Sequence, residues 1–352
     1  MNLIFELSDV FYKGSDKRLI FEDESYFVGE AITNRVVGIV FLNLQKSTYN
    51  LSRESKNALH CIYLNNIQQL NIFKYNLKYI SRLLKGVDFK YALLKGVFLS
   101  TKLYKDGERT SNDLDILVER KNVTQLQKKL IDDGFVQGRY SYNKKCIVPA
   151  TRREIIHSSM NYGETVPFIK INDGNIVAVD INFSTDYKTS DGDIISCFLN
   201  NAIEITQNDY SFYTLNNVDF FIHLCCHLYK EATVYNYLQV KKDLMLYKFS
   251  DINIFLGNFL SKIFIENLIS QVNKYDLHKE LYYTLQNTSI IYPGLNSMSG
   301  FEYLKNNLVP NDLSFMKQII YPEQKKIMSF DMDFIDWFNC KDRIRYLKEI
   351  KN

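Results

Sequence analysis

The spacing of apolar and polar residues changes character along the chain. From Ser52 to Leu84 the apolar positions Leu59, Ile62, Leu70, Phe73, Leu77, Ile80 and Leu84 fall at helical intervals, as expected for a helix with one face in a core. That stripe predicts one long helix, or two broken near Asn65 and Asn66, and residues 1–85 read as a mostly helical region. The pattern then shortens. Tyr91–Leu94 is a brief apolar run that ends at Lys95-Gly96, which suits a buried strand entering a turn. Val97–Tyr104 fits a short helix closed by Lys105-Asp106-Gly107. Asp113–Val118 (DLDILV) alternates and carries branched residues, so it reads as a strand. Asn122–Asp133 reads as an amphipathic helix stopped by Gly134. Residues 135–184 read as β-rich, with 165–171 (TVPFIKI) and 176–183 (IVAVDINF) facing each other across Asn172-Asp173-Gly174-Asn175, a hairpin turn by its chemistry.

Helical spacing returns from Asp191 onward, in Val218–Thr233, Val240–Phe259, Ile263–Tyr275 and Asp331–Ile350. The expected fold class is therefore α+β. A mixed β-sheet core occupies 86–190, an N-terminal helical region 1–85, and a C-terminal helical domain 191–352. The length of 352 residues suits such a division at ~150 residues per domain.

Composition narrows the function. Hydrophobic residues make up 46% of the chain, with 25 Tyr and 24 Phe, enough for a substantial core. A net charge of +3 gives no strong case for wrapping nucleic acid, which usually needs a basic face, although Lys and Arg are dense from Lys121 to Lys145. The six cysteines are scattered and form no CxxC pair, so they read as reduced core residues of a cytosolic protein. No apolar run approaches the ~20 residues that span a bilayer, and Glu6 and Asp9 interrupt the N-terminus early. The expectation is a soluble, cytoplasmic protein. Sparse glycines and the lack of a GxxxxGK[ST] loop argue against dinucleotide-binding and P-loop enzymes.

The chemistry concentrates at Leu93-Leu94-Lys95-Gly96, Arg109 and Asp113-Leu114-Asp115. Residues two apart on a strand project to the same face, so Asp113 and Asp115 point at one spot. Adjacent carboxylates repel unless a cation lies between them, and Mg²⁺ takes a few carboxylate oxygens and completes its octahedron with phosphates. A bare DxD pair is equally compatible with solvent-facing aspartates on an edge strand. Here the apolar face Leu114-Ile116-Val118 indicates a packed strand.

This constellation, LLKG followed by Arg109 and DLDILV, resembles the nucleotidyltransferase superfamily that includes DNA polymerase β, kanamycin nucleotidyltransferase and the minimal nucleotidyltransferases. It is similar in particular to a bacterial branch of uncharacterised nucleotidyltransferases. The match is good over Tyr91–Phe135. Lys95-Gly96 stands where the superfamily usually has Gly-Ser. The resemblance implies a Mg²⁺- or Mn²⁺-dependent enzyme that moves a nucleoside monophosphate, AMP from ATP in the first instance, onto an acceptor with release of pyrophosphate. It implies a third carboxylate downstream. Asp180, on the apolar run 177–182, is the first candidate, as metal ligand and proton acceptor, and Asp186 the weaker one. Lys95 and the backbone around Gly96 suit the triphosphate. Arg109 either reaches phosphate or pairs with Asp113.

The modest charge favours a small molecule, peptide or protein hydroxyl as acceptor over nucleic acid. A toxin-type enzyme acting on tRNA, or an inactive nucleotide-binding module, is the alternative. His223 and His227 lie one helical turn apart, which is metal-ligand spacing and raises a zinc hydrolase as a further rival. Their apolar neighbours favour core or hydrogen-bonding histidines. The bacterial branch shows a similar helix with a later aspartate resembling Asp243 or Asp251, which implies contact with base or acceptor. Trp337, with Phe334 and Phe338, reads as a C-terminal staple.

Overall fold

In the computed structural model the stripe from Ser52 to Leu84 forms a single helix, and its polar residues find partners along its length. Asn66 Nδ2 donates to Gly107 O (3.1 Å) and the buried Asn76 Nδ2 to Ile176 O (3.0 Å), so neither asparagine breaks the helix. The structure describes residues 2–16, 18–161, 163–185, 192–207 and 209–350. Asp186 lies outside these.

In chain order the elements begin with α1 (Leu3–Leu7), α2 (Glu24–Thr33), α3 (Val37–Leu44) and α4 (Arg53–Leu83). Then come β1 (Tyr91–Leu93), α5 (Gly96–Phe98) continuing into a π-helical turn (Leu99–Leu103), β2 (Leu114–Val118), α6 (Val123–Asp132), β3 (Val136–Ser141) and β4 (Cys146–Pro149). Next are α7 (Arg152–Asn161), β5 (Phe168–Asn172), β6 (Asn175–Asn182), α8 (Gly192–Asn200), β7 (Ile203–Gln207) and β8 (Tyr210–Thr214). The remainder comprises α9 (Asn217–Thr233), α10 (Tyr235–Gln239), α11 (Leu246–Phe259), α12 (Lys262–Tyr275), α13 (His278–Ile291) and α14 (Phe301–Asn307). The last elements are β9 (Gln318–Tyr321), β10 (Lys326–Ser329), α15 (Phe334–Asn339) and β11 (Lys348–Glu349). The fold is α+β.

The chain forms two compact units, one of Ile67–Asp106 with Thr110–Phe220, the other of Met1–Asn66, Gly107–Arg109 and Phe221–Asn352. The first is built on an eight-stranded mixed sheet of order β4-β3-β5-β6-β2-β1-β8-β7. Strand β2 pairs parallel with β6 and antiparallel with β1, and β1 pairs parallel with β8. The period of two along β2 and β6 sends Leu114, Ile116 and Val118, with Val177, Val179 and Ile181, to one face. There they pack with Phe73, Leu77 and Ile80 of α4 and Leu126 and Leu130 of α6. Each such side chain contributes ~1.5–3 kcal/mol on leaving water, so this face fixes the register of both strands. Between β5 and β6, Asp173 (φ 48°) and Gly174 (φ 78°) are both left-handed, a two-residue turn whose twist matches the strands it joins.

The other unit is mainly helical, with a small antiparallel sheet of order β11-β10-β9. Its core holds the aromatic cluster Phe221, Phe255 and Phe264, and Phe330 stacks on the buried Trp337 at 3.7 Å. Trp337 is thus a packing residue, and Phe334 and Phe338 pack on Phe249.

Some stretches depart from the sequence reading. Helix α7 interrupts the β-rich segment, fixed by a capping box in which Thr151 N donates to Glu154 Oε2 (2.8 Å) and Glu154 N to Thr151 Oγ1 (3.3 Å). The region after Asp191 is not all helical, because β7 and β8 pair antiparallel with each other and extend the main sheet. Helix α11 starts at Leu246, not Val240. Asp331–Ile350 is not one helix: α15 is its only α-helix, Arg343–Tyr346 is a 3-10 turn, and Lys348–Glu349 pairs with β10. Among the described residues no helix is long and apolar enough to cross a membrane.

Candidate functional site

The same alternation that buries Leu114 and Ile116 turns Asp115 to the opposite face of the sheet. Parallel pairing sets Asp115 directly opposite Asp180, and Leu117 opposite Asn182. Asp113 precedes the strand by one residue and is exposed, whereas Asp115 is buried. The pairing of β2 with β6, invisible in the sequence, thus brings Asp180 beside the DxD pair.

Strand β1 supplies the cation. Leu94 N donates to Asp115 O (3.0 Å), Val97 N to Leu94 O (3.2 Å) and Leu99 N to Lys95 O (3.0 Å). These bonds pin both sides of Lys95 and hold it at φ 41°, ψ −108°, a conformation that side-chain-bearing residues adopt only at a cost and that clusters at functional sites. From there Lys95 Nζ donates to Asp115 Oδ1 (2.9 Å), and Asn182 Nδ2 donates to the same oxygen (3.2 Å). The buried Gly96 opens the helical turn, and a contact between Ser100 Oγ and Ser111 Oγ (3.1 Å) ties that turn to the segment before β2.

The electrostatics follow. Burial holds the Asp180 carboxyl well above the usual carboxylate range, and the charges of Asp115, Asp113 and Glu164 push it further up. Burial works against the Lys95 ammonium, but the charge and hydrogen bond of Asp115 override it and keep Lys95 above its ordinary value. Glu164 is a residue the sequence reading missed. An antiparallel bridge sets it opposite Asn182, and Gly163 (φ 66°) lies so close to Ser184 that a Cβ would come within 2.4 Å of the Ser184 Cβ. Its only sequence signal was a Gly-Glu pair before a strand.

A divalent metal fits the donor set in one respect and not yet in another. Asp180 Oδ1 is enclosed and has no hydrogen-bond partner, a costly state for a carboxylate oxygen that a hard cation relieves. Among the described residues, however, no group of three or more His, Cys, Asp or Glu side chains is placed to hold a metal ion, and Lys95 engages Asp115.

The remaining candidates belong to the helical unit. Arg109 forks onto Asp251, with Nε to Oδ1 at 2.7 Å and Nη2 to Oδ2 at 2.9 Å, and its guanidinium lies 5.6 Å from the Tyr247 ring centre. His223 and His227 stack with ring centres 6.3 Å apart. His227 Nε2 lies 3.2 Å from Glu231 Oε2, which Lys248 Nζ meets at 2.6 Å. An ammonium on that carboxylate disfavours a cation there. Asp243 is buried against Arg343 (2.7 Å).

A family model described as uncharacterised nucleotidyltransferase matches residues 22–293 of this chain. The chain belongs to this nucleotidyltransferase family. The match takes in Lys95, Asp113, Asp115 and Asp180 and also the helix with His223 and His227. Among solved structures, an antigenic nucleotidyltransferase-like protein from Paracoccidioides brasiliensis is 14% identical, with 61% of this chain and 92% of that one covered at a TM-score of 0.32. A likeness that low adds nothing to the family assignment. No curated protein matches this chain.

Proposed function

We propose that the protein transfers a nucleoside monophosphate, AMP from ATP in the first instance, to a hydroxyl on a small molecule, peptide or protein, in the manner of the polymerase-β-like branch. The observation that carries this reading is the register of Asp115 against Asp180, with Asp113 two residues before Asp115 in the chain. Asp113, Asp115 and Asp180 would hold Mg²⁺ or Mn²⁺, which supplies charge neutralisation of the triphosphate and of the leaving pyrophosphate. The acceptor oxygen attacks the α-phosphorus, the bond to the pyrophosphate oxygen breaks, and the hydroxyl proton passes to Asp180. Lys95 and the amides around Gly96 meet the triphosphate.

Incubation with Mg²⁺, each α-³²P-labelled NTP and cell extract fractionated into protein, RNA and small molecules tests this reading. Wild type is expected to label one fraction, and Asp113→Ala and Asp115→Ala proteins none. Label in the RNA fraction would replace the proposed acceptor. NTP binding without transfer would indicate an inactive nucleotide-binding module, and no NTP binding at all would remove the proposal.

A further inference from the structure

Lys95 stands where a cation-binding carboxylate is already answered by the protein's own positive charge. Its ammonium and the Asn182 amide both occupy Asp115 Oδ1, at 2.9 and 3.2 Å. The Lys95 side chain remains 17% exposed and that of Asp115 8%, so the ion pair is not sealed from solvent. Asp180 Oδ1, on the paired strand, has no hydrogen-bond partner. The left-handed backbone at Lys95 is clamped by three main-chain bonds, which aims the stem at Asp115 while leaving the flexible four-carbon chain to move. A divalent cation on Asp115 would meet the ammonium at short range, and two like charges repel strongly in so enclosed a place.

Resting on the functional reading above, we propose that Lys95 is an exchangeable counter-ion. It holds Asp115 in the nucleotide-free protein and leaves for the triphosphate as the metal takes its place, so that metal and nucleotide bind as a coupled pair. The triphosphate gives the displaced ammonium a destination of opposite charge, and the metal relieves the repulsion among Asp113, Asp115, Asp180 and Glu164. Neither step is favourable alone. Free metal must evict Lys95 into a site without an anion, and free nucleotide must draw Lys95 away from carboxylates left without a counter-charge. By reciprocity the coupling is the same from either side.

The test measures Mn²⁺ affinity by electron paramagnetic resonance of the free ion, with and without a non-hydrolysable ATP analogue, on wild type, Lys95→Met, Lys95→Arg and Asp115→Ala. Circular dichroism confirms that each variant folds. Wild type is expected to bind Mn²⁺ weakly alone and far more tightly with the analogue. Lys95→Met, which keeps the stem and loses the charge, should bind Mn²⁺ alone roughly tenfold more tightly. Its gain on adding the analogue should shrink by a similar factor, within the ~5–150-fold usual for coupled sites. Lys95→Arg keeps the charge and should keep the coupling. Lys95→Met protein with wild-type coupling, or with no tighter binding of Mn²⁺ alone, would overturn the proposal while leaving the functional reading intact. Wild type that binds no Mn²⁺ in either state, or Asp115→Ala that binds it as wild type does, would instead remove the functional reading.

Discussion

Replacing Asp251 with alanine should unfold the helical unit well before it touches chemistry. Asp251 accepts two bonds from Arg109, at 2.7 and 2.9 Å, and the two side chains are 6% and 9% exposed. Hydrogen bonds to charged groups contribute ~1.5–3 kcal/mol each, and breaking a buried ion pair from one side costs ~3–5 kcal/mol because the surviving charge is left in a poor solvent. The two figures agree, so Asp251→Ala is expected to lose about 3–5 kcal/mol. At ~2–4 °C per kcal/mol for a unit of 150–250 residues, the melting temperature should fall by roughly 6–20 °C. An Arg109→Met/Asp251→Leu protein, with both charges gone and the volume kept, should recover most of that loss. Urea denaturation of wild type, Arg109→Met, Asp251→Leu and the double variant closes the cycle, with ATP binding measured on each. The reasoning fails if Asp251→Ala costs less than about 1 kcal/mol, or if the double variant is no more stable than either single. An Arg109→Met protein of normal stability that no longer binds ATP would make Arg109 a phosphate ligand.

Other outcomes follow from the same structure. Gly174 has φ 78° with open space around its Cβ position, so Gly174→Ala should cost only the backbone penalty, ~1–2 kcal/mol, read from urea denaturation. A larger loss would mean that the hairpin register itself had moved. Burial would raise the Glu231 carboxyl, yet His227 and Lys248 outweigh it and hold it well below the usual range. Because its folded value is depressed, its contribution to stability is complete above the unfolded value of ~4.3 and is lost as pH falls below that. Glu231→Gln should therefore flatten the loss of stability below pH ~4.3, measured as denaturation midpoint against pH, and an unchanged slope would show that Glu231 titrates normally.

The residues legible in the sequence are those whose environment is set by near neighbours. DLDILV carries its own alternation, and the Asp173-Gly174 turn carries its own chemistry. The stripe on α4 repeats often enough to be read despite Asn65 and Asn66. Apart from α7, whose Thr151–Glu154 capping box is a local signal, what escaped depends on distant partners. Strands β7 and β8 are short, and β8 is secured by pairing with β1, far away in sequence. Glu164 joins the acidic group only because its segment bridges to Asn182. The partner of Arg109 lies in α11, beyond the reach of any local pattern. Likewise the backbone of Lys95, where glycine would be expected, is dictated by bonds from either side of it and has no signature in the residue itself.

The division of the chain also bears on how the protein is made. One unit is almost continuous, from Ile67 to Phe220, whereas the other is assembled from Met1–Asn66, Gly107–Arg109 and Phe221–Asn352. On the ribosome the sheet-bearing unit can be completed while the C-terminal segment is still unmade. Helices α1 and α3, with the buried Leu7, Val40 and Leu44, precede that unit in the chain and wait for the C-terminal segment that completes theirs. At ~5–20 residues per second the wait for Phe221–Asn352 alone is roughly 7–26 s. Apolar surface made before the sheet-bearing unit is thus covered after it. A ribosome that stops anywhere in α11–α13 releases a chain with a finished sheet and an N-terminus still seeking its core.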